Sequence, residues 1–135
     1  MSDKMLDFRS DTLTMPTPPL RAAMAAAELG DDVFGEDPTV NRLQARVAEI
    51  LGKEAALYVP SGTMSNLIGV RLNCKPGDEM ICEAQCHIIH YEQGGYAQLN
   101  GVAARCVEGD FGVLQPEQLE GLVRPDNIHM VRTRA

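Results

Sequence analysis

The 135-residue sequence has no excess of positive charge, because 12 Lys and Arg stand against 19 Asp and Glu for a net charge of -7. Nucleic acids and anionic membrane surfaces attract basic proteins, so neither is expected as a partner. The sequence also lacks an apolar run of signal-peptide length near its start, since the Ala-rich stretch at 22–27 is short and is followed by Glu28. We therefore expect a cytoplasmic protein.

Cysteines are few, and repeats and low-complexity tracts are missing. The four cysteines, in a chain without a secretory signal, are expected to be reduced thiols. With 44% hydrophobic residues in 135 positions, the chain has the size and composition of one soluble domain.

Two helices are predicted in the first half of the chain. Thr17 followed by two prolines precedes an Ala- and Leu-rich run over 20–29, and Gly30 is predicted to end that helix. Asp37 and a following proline open a second helix over 39–51, in which apolar residues recur every three or four positions.

Short apolar runs alternate with helical segments in the second half. Strands are predicted at 55–59, 80–82, 102–107 and 128–131, and helices or turns at 63–72, 88–93 and 116–123. This alternation predicts an α/β fold with a mostly parallel sheet and flanking helices. Because residues 129–135 enter the sheet without a covering helix, we expect a truncated product or a fragment.

Ser61, Gly62 and Thr63 form the strongest local pattern for a binding site, because they lie between a predicted strand and a predicted helix. The first amides of a helix lack internal partners and carry the positive end of its dipole, so a phosphate would bind there. Glycine lets the backbone approach the anion, and the two hydroxyls could donate to it. The alternative is an ordinary loop in which Thr63 caps the helix. Neither GxxxxGKS nor GxGxxG is present.

A second pattern combines Cys82, Cys86, His87 and His90 within nine positions. Such residues could hold zinc, but the C-x3-C-H-x2-H spacing lacks the second half of a zinc finger, and no metal is predicted. The neighbouring isoleucines indicate packing instead. His87 follows a predicted strand end, where α/β enzymes place their ligands.

Several long segments resemble one family in the same order. They are DFRSDTLTMPT at 7–17, GDDVFGEDPTVNRLQ at 30–44, GKEAALYVPSGTMSN at 52–66 and the region from His87 to Gly95. Together they resemble the low-specificity L-threonine aldolases, in the β-eliminating lyase group of aspartate-aminotransferase-like, fold-type I enzymes. The resemblance implies that residues 1–135 are the N-terminal portion of a large domain that binds pyridoxal 5'-phosphate. Residues 1–30 would be an arm and a helix, and the C-terminal small domain would be absent.

The resemblance also implies roles for individual residues. Gly62 and Thr63, with Ser61 as a weaker candidate, match the loop that binds the cofactor phosphate. His87 matches the imidazole that stacks on the pyridine ring and has been considered for proton transfer with the substrate hydroxyl. The substrate-binding candidates are Ser10, Tyr91 and His129. Phe34 replaces a tyrosine common in the family, which removes a hydroxyl contact at that position.

The implied reaction is cleavage of L-threonine or L-allo-threonine to glycine and acetaldehyde by a homotetramer with shared active sites. The lysines of this sequence are Lys4, Lys53 and Lys75, and none matches the family's Schiff-base segment, which lies beyond residue 135. The chain alone is therefore expected to be inactive. The alternatives are a non-catalytic α/β module for phosphate binding or oligomerisation, and a small metal-binding protein built on the Cys and His cluster.

Overall fold

The computed structural model describes residues 6–135, which form two compact units, the first ending at Tyr58 and the second running from Val59 to Ala135. The first unit contains helix α1 (Pro18–Ala25) and helix α2 (Pro38–Leu51). Single 3-10 turns precede each helix, at Asp11–Leu13 and Asp32–Phe34.

Both predicted helix starts in the first unit are confirmed. The hydroxyl of Thr17 accepts from the Leu20 amide at 3.4 Å, and Asp37 Oδ1 accepts from two first-turn amides of α2 at 2.9 Å each. The amide of Val40 is the main cause that holds the pKa of Asp37 below its ordinary value, and the amide of Gly30 adds to it. Asp37 is therefore an ionised cap that also complements the dipole of α2.

The predicted end of the first helix is wrong. Helix α1 ends at Ala25 rather than Leu29, and Gly30 has another use. Its amide donates to Asp37 Oδ2 at 3.1 Å, and a Cβ at Gly30 would collide with the Glu36 carbonyl. The glycine is needed for this close approach of two backbone segments rather than as a helix terminator.

The predicted strand at 55–59 is also wrong. The structure assigns no strand there, and the Tyr58 amide donates to the side-chain carbonyl of Gln44 at 2.8 Å instead of to a neighbouring strand. An extended apolar segment becomes a strand only when another strand pairs with its backbone. Within residues 6–135 no strand does so for this segment.

The second unit confirms the predicted α/β class. Its elements are α3 (Gly62–Asn73), β1 (Asp78–Glu83), α4 (His87–His90), α5 (Gly95–Gln98), β2 (Ala103–Val107), α6 (Pro116–Leu119) and β3 (Arg132–Thr133). The three strands form a parallel sheet in the order β2-β1-β3. Crossover helices between parallel strands are the connections that this class requires.

Three boundaries in the second unit differ from the prediction. Helix α6 stops at Leu119 instead of 123 because Gly121 takes a left-handed conformation, with φ of 72°. The last strand lies at 132–133, since residues 127–130 form a turn closed by the Met130 amide and the Asn127 carbonyl. The predicted helix at 88–93 is α4, which ends at His90, and the separate helix α5 was not predicted.

The core of the second unit lies between the sheet and helices α3 to α5. Its buried members are Cys74, Met80 and Val102. Ile88 and Ile89 pack against them, as their apolar character indicates. No helix within residues 6–135 is both long and apolar enough to cross a membrane.

Candidate functional site

The start of helix α3 is capped by Ser61. Its hydroxyl oxygen accepts from the Met64 amide at 3.2 Å, and its carbonyl accepts from the Ser65 amide at the same distance. The alternative in which Thr63 caps the helix is therefore wrong, because Thr63 lies inside the first turn. The Met64 amide is one of the four that a helix start leaves without internal partners, whereas the Ser65 amide makes the first bond of the helix itself.

The amides of Gly62 and Thr63 belong to the same partnerless set and donate to no atom within residues 6–135. Apart from its two chain neighbours and the backbone of its own helix, no described residue has an atom within 4 Å of the place where a Cβ of Gly62 would stand. An anion could therefore approach both amides from the positive end of a 12-residue helix. This arrangement fits a phosphate group.

His87 lies just beyond the carboxyl end of β1, as predicted, and begins helix α4. Its Nδ1 is 2.9 Å from Glu92 Oε1. The two side chains differ sharply in exposure, at 67% for His87 and 1% for Glu92. The ring is therefore held from the protein side while its outer face stays open.

Glu92 also connects His87 to helix α3. The same Oε1 accepts from Asn66 Nδ2 at 2.5 Å. Asn66 stands three residues after Thr63 and four after Gly62, and residues at those spacings are neighbours on a helix surface. Two hydrogen bonds to Glu92 thus connect the imidazole to helix α3.

Reasoning from the sequence missed both Asn66 and Glu92. Neither residue stands out locally, because their hydrogen bond joins positions 26 apart. The one sequence signal for a buried residue here is the glycine pair at 94–95, which begins two positions after Glu92. Gln93 and Gly94 have φ of 57° and 66°, and a Cβ on Gly95 would lie 2.8 Å from a methyl group of Leu67 on α3. The sharp turn and the close approach of Gly95 to Leu67 bring Glu92 next to helix α3.

The other predicted site residues lie in different places. Tyr91 is exposed, with its ring centroid 5.2 Å from that of His87 and the two planes at 45°. His129 lies in the turn before β3, and its side chain makes no hydrogen bond or ring contact within residues 6–135. Ser10 belongs to the first unit, where it caps the short turn at Asp11–Leu13. Phe34 is exposed in that unit.

The cysteine and histidine pattern separates into unrelated contacts. Burial, followed by the neighbouring thiols of Cys86 and Cys106, raises the pKa of Cys82 to about 12. His90 bonds to the backbone, with its Nε2 2.8 Å from the carbonyl oxygen of Ala84. Residues 6–135 contain no group of three or more His, Cys, Asp or Glu side chains placed to hold a metal ion. The zinc alternative therefore gains no support.

A parallel α/β unit with an open helix N-terminus, and with an exposed imidazole joined to that helix through Glu92, is an arrangement suited to a phosphorylated ligand. The model of the beta-eliminating lyase family matches residues 7–135. The chain belongs to this family, whose enzymes are fold-type I lyases that use pyridoxal phosphate.

The curated relatives include named threonine aldolases. The chain is 41% identical over 131 residues to the low specificity L-threonine aldolase of Escherichia coli K12. The alignment covers 96% of this chain and 39% of that protein. It is 46% identical over 123 residues to low-specificity L-threonine aldolase 1 of Arabidopsis thaliana, with 90% of this chain and 34% of that protein covered. The chain thus spans between a third and two fifths of the length of these relatives.

The fold also matches solved structures. A Listeria monocytogenes protein solved as a candidate L-allo-threonine aldolase superposes with a TM-score of 0.66 at 24% identity. The match covers 78% of this chain and 30% of the other. At this level of identity the superposition establishes a shared fold.

Proposed function

We propose that this chain is the N-terminal portion of the large, cofactor-binding domain of an enzyme that cleaves L-threonine and L-allo-threonine to glycine and acetaldehyde. The observation that carries the proposal is the identity of 41% and 46% to named L-threonine aldolases over at least 90% of this chain. A non-catalytic module for phosphate binding or oligomerisation is not favoured, because these relatives are enzymes.

The cofactor phosphate would bind at the start of helix α3. The free amides of Gly62 and Thr63 and the Thr63 hydroxyl are the donors that support this position. Ser61 is the weaker candidate, because its hydroxyl oxygen already caps the helix. The proton of that hydroxyl remains available to a phosphate oxygen.

The His87 ring would lie over the pyridine ring of the cofactor. When bound, pyridoxal phosphate withdraws electrons and makes the bond between Cα and Cβ of the substrate breakable. His87 would exchange a proton with the substrate hydroxyl through Nε2, since Nδ1 is hydrogen-bonded to Glu92. Ser10, Tyr91 and His129 remain the proposed substrate-binding residues, with Tyr91 reaching the active site of a neighbouring subunit.

The setting proposed for this reaction is the cytoplasm, in glycine formation and threonine breakdown. The four free thiols support a reducing compartment. The assembly proposed is a homotetramer, which rests on the shared active sites of the family, and the exposed position of Tyr91 leaves it accessible to a neighbouring subunit.

The function is tested by sequencing the gene past codon 135 and assaying the product of its full reading frame. We expect a frame that adds the cofactor-binding lysine and a product that releases acetaldehyde from one or both threonine isomers. A full-frame product that binds pyridoxal phosphate but cleaves neither isomer contradicts the proposal.

The 135-residue chain itself is tested by borohydride reduction in the presence of pyridoxal phosphate. We expect no specific labelling, because Lys53 and Lys75 lie at the ends of α2 and α3 and none of the lysines matches the family's cofactor lysine. Labelling of a single lysine together with acetaldehyde release would show the chain to be a complete catalyst.

A further inference from the structure

Glu92 is a buried carboxylate with hydrogen bonds to only one of its two oxygens. Its side chain is 1% exposed, and one oxygen, Oε1, takes both hydrogen bonds, from His87 and Asn66. The other oxygen, Oε2, is buried and has no hydrogen-bond partner within residues 6–135. A buried polar atom without a partner is costly, so a residue kept in this state calls for a reason beyond stability.

The two donors to Oε1 come from the two elements that form the candidate cofactor site. Asn66 lies on α3 one turn from the free amides of Gly62 and Thr63, and His87 carries the open imidazole. The turn that inserts Glu92 between them needs a non-glycine residue, Gln93, in the left-handed region with φ of 57°. Such positions are uncommon and persist where the surrounding structure holds them.

The chemistry of the carboxylate fixes the state of the ring. An ionised carboxylate only accepts hydrogen bonds, so Nδ1 of His87 must carry a proton to bond with Glu92. In the neutral imidazole this leaves Nε2 as the nitrogen with a free lone pair. An unconstrained imidazole favours the opposite arrangement, with the proton on Nε2.

We propose that Glu92 is a positioning residue that locks His87 in the Nδ1-protonated form and directs the basic Nε2 to the open side of the ring, and that Asn66 anchors this carboxylate to the phosphate-binding helix. The value of this lock to the reaction rests on the proposed function, in which Nε2 exchanges a proton with the substrate hydroxyl. Asn66 and Glu92 would act through His87 and need not touch the substrate.

The three histidines of the chain provide an internal control. His90 must carry its proton on Nε2, because that nitrogen is 2.8 Å from the carbonyl oxygen of Ala84. His129 has no side-chain hydrogen bond within residues 6–135 and serves as the unconstrained reference. The structure thus predicts opposite tautomers for His87 and His90 in the same molecule.

The test is a long-range 1H–15N NMR experiment on the 135-residue chain without cofactor, at about pH 9, where imidazoles are neutral. A hydrogen bond to a charged partner shifts a tautomer ratio about tenfold or more. We expect the Nδ1–H form to dominate at His87 and the Nε2–H form at His90 and His129. The same ratio at His87 and His129 in the wild-type chain overturns the proposal, without any variant.

Two variants and one control complete the experiment. E92A should return the tautomer ratio of His87 to that of His129. E92Q, which keeps the volume of the side chain but removes its charge, should lower the proportion of the Nδ1–H form at His87. N73A is the matched control, because it removes an exposed asparagine of the same helix that bonds the Gly69 carbonyl and not Glu92, so His87 should keep its tautomer. An unchanged His87 in a folded E92A chain, with the dispersion of the backbone amide signals as the folding check, contradicts the proposal. Since no cofactor is present, this outcome is independent of whether the full-frame product cleaves threonine.

Discussion

Two buried glutamates of the second unit have opposite surroundings. Glu79, on β1, accepts from the Arg124 guanidinium at 3.0 to 3.2 Å and from the Thr133 hydroxyl at 3.0 Å, with Arg105 at 3.4 Å. Both of its oxygens are bonded. Glu92 has two neutral or weakly basic donors on one oxygen and no partner on the other within the described part of the chain.

The difference separates a carboxylate that holds the fold from one that orients a reactive group. Glu79 joins β1 to β3 and to the segment before it, so its charge is neutralised where two strands meet. Glu92 meets no arginine or lysine in the described residues, and its charge acts on an open imidazole. A fully hydrogen-bonded carboxylate such as Glu79 favours stability. A buried carboxylate with an unbonded oxygen, such as Glu92, is typically retained at sites that carry function.

The largest effect is expected from Glu79→Gln. The substitution leaves Arg124 and Arg105 without their counter-charge, and breaking a buried ion pair is strongly destabilising. Because both arginines are partly exposed and can be hydrated again, we expect a loss of about 2 kcal/mol in the free energy of unfolding. Urea unfolding of the wild-type and Glu79→Gln chains measures this loss. Glu120→Gln is the control, since Glu120 is exposed and makes no side-chain hydrogen bond within the described residues.

Acid should weaken the fold through the same residue. The Arg124 hydrogen bond, with help from Thr133 and Arg105, holds the pKa of Glu79 below its ordinary value of 4.5. A lowered pKa contributes stability that is present above the unfolded value and is lost as the pH falls through the folded one. We expect the free energy of unfolding to fall below about pH 4.5 in the wild-type chain, and to fall less in the Glu79→Gln chain. Parallel slopes in the two chains would contradict this assignment.

Glu92→Gln should cost less than Glu79→Gln. The amide keeps an oxygen for Asn66 and relieves the burial of a charge that has one unbonded oxygen, so we expect a loss of about 1 kcal/mol or less. Because both substitutions make the same chemical change, urea unfolding compares their losses in the free energy of unfolding directly. A loss as large as that of Glu79→Gln would mean that Glu92 is primarily structural and would remove the distinction between the two sites.

The parts of the fold that are local in sequence were predictable. The caps at Thr17 and Asp37, the helix after Gly62 and the position of His87 behind a strand each depend on a few adjacent residues. The strand predicted at 55–59 fails because a strand depends on its partner, which local pattern does not supply. Glu92 was missed for the same reason, since its burial depends on α3 and on a turn with two consecutive positive φ values.

In the proposed function, the start of helix α3 and the His87 ring form one cofactor site. This claim is tested most directly by following backbone amides and histidine rings by NMR while pyridoxal phosphate is added to the 135-residue chain, with inorganic phosphate added in a parallel titration. We expect the cofactor to shift the signals of the Gly62 and Thr63 amides together with those of the His87 ring, and phosphate to shift the amide signals alone. Shifts that miss both amides, or that leave His87 unchanged when the cofactor saturates the amides, would contradict it.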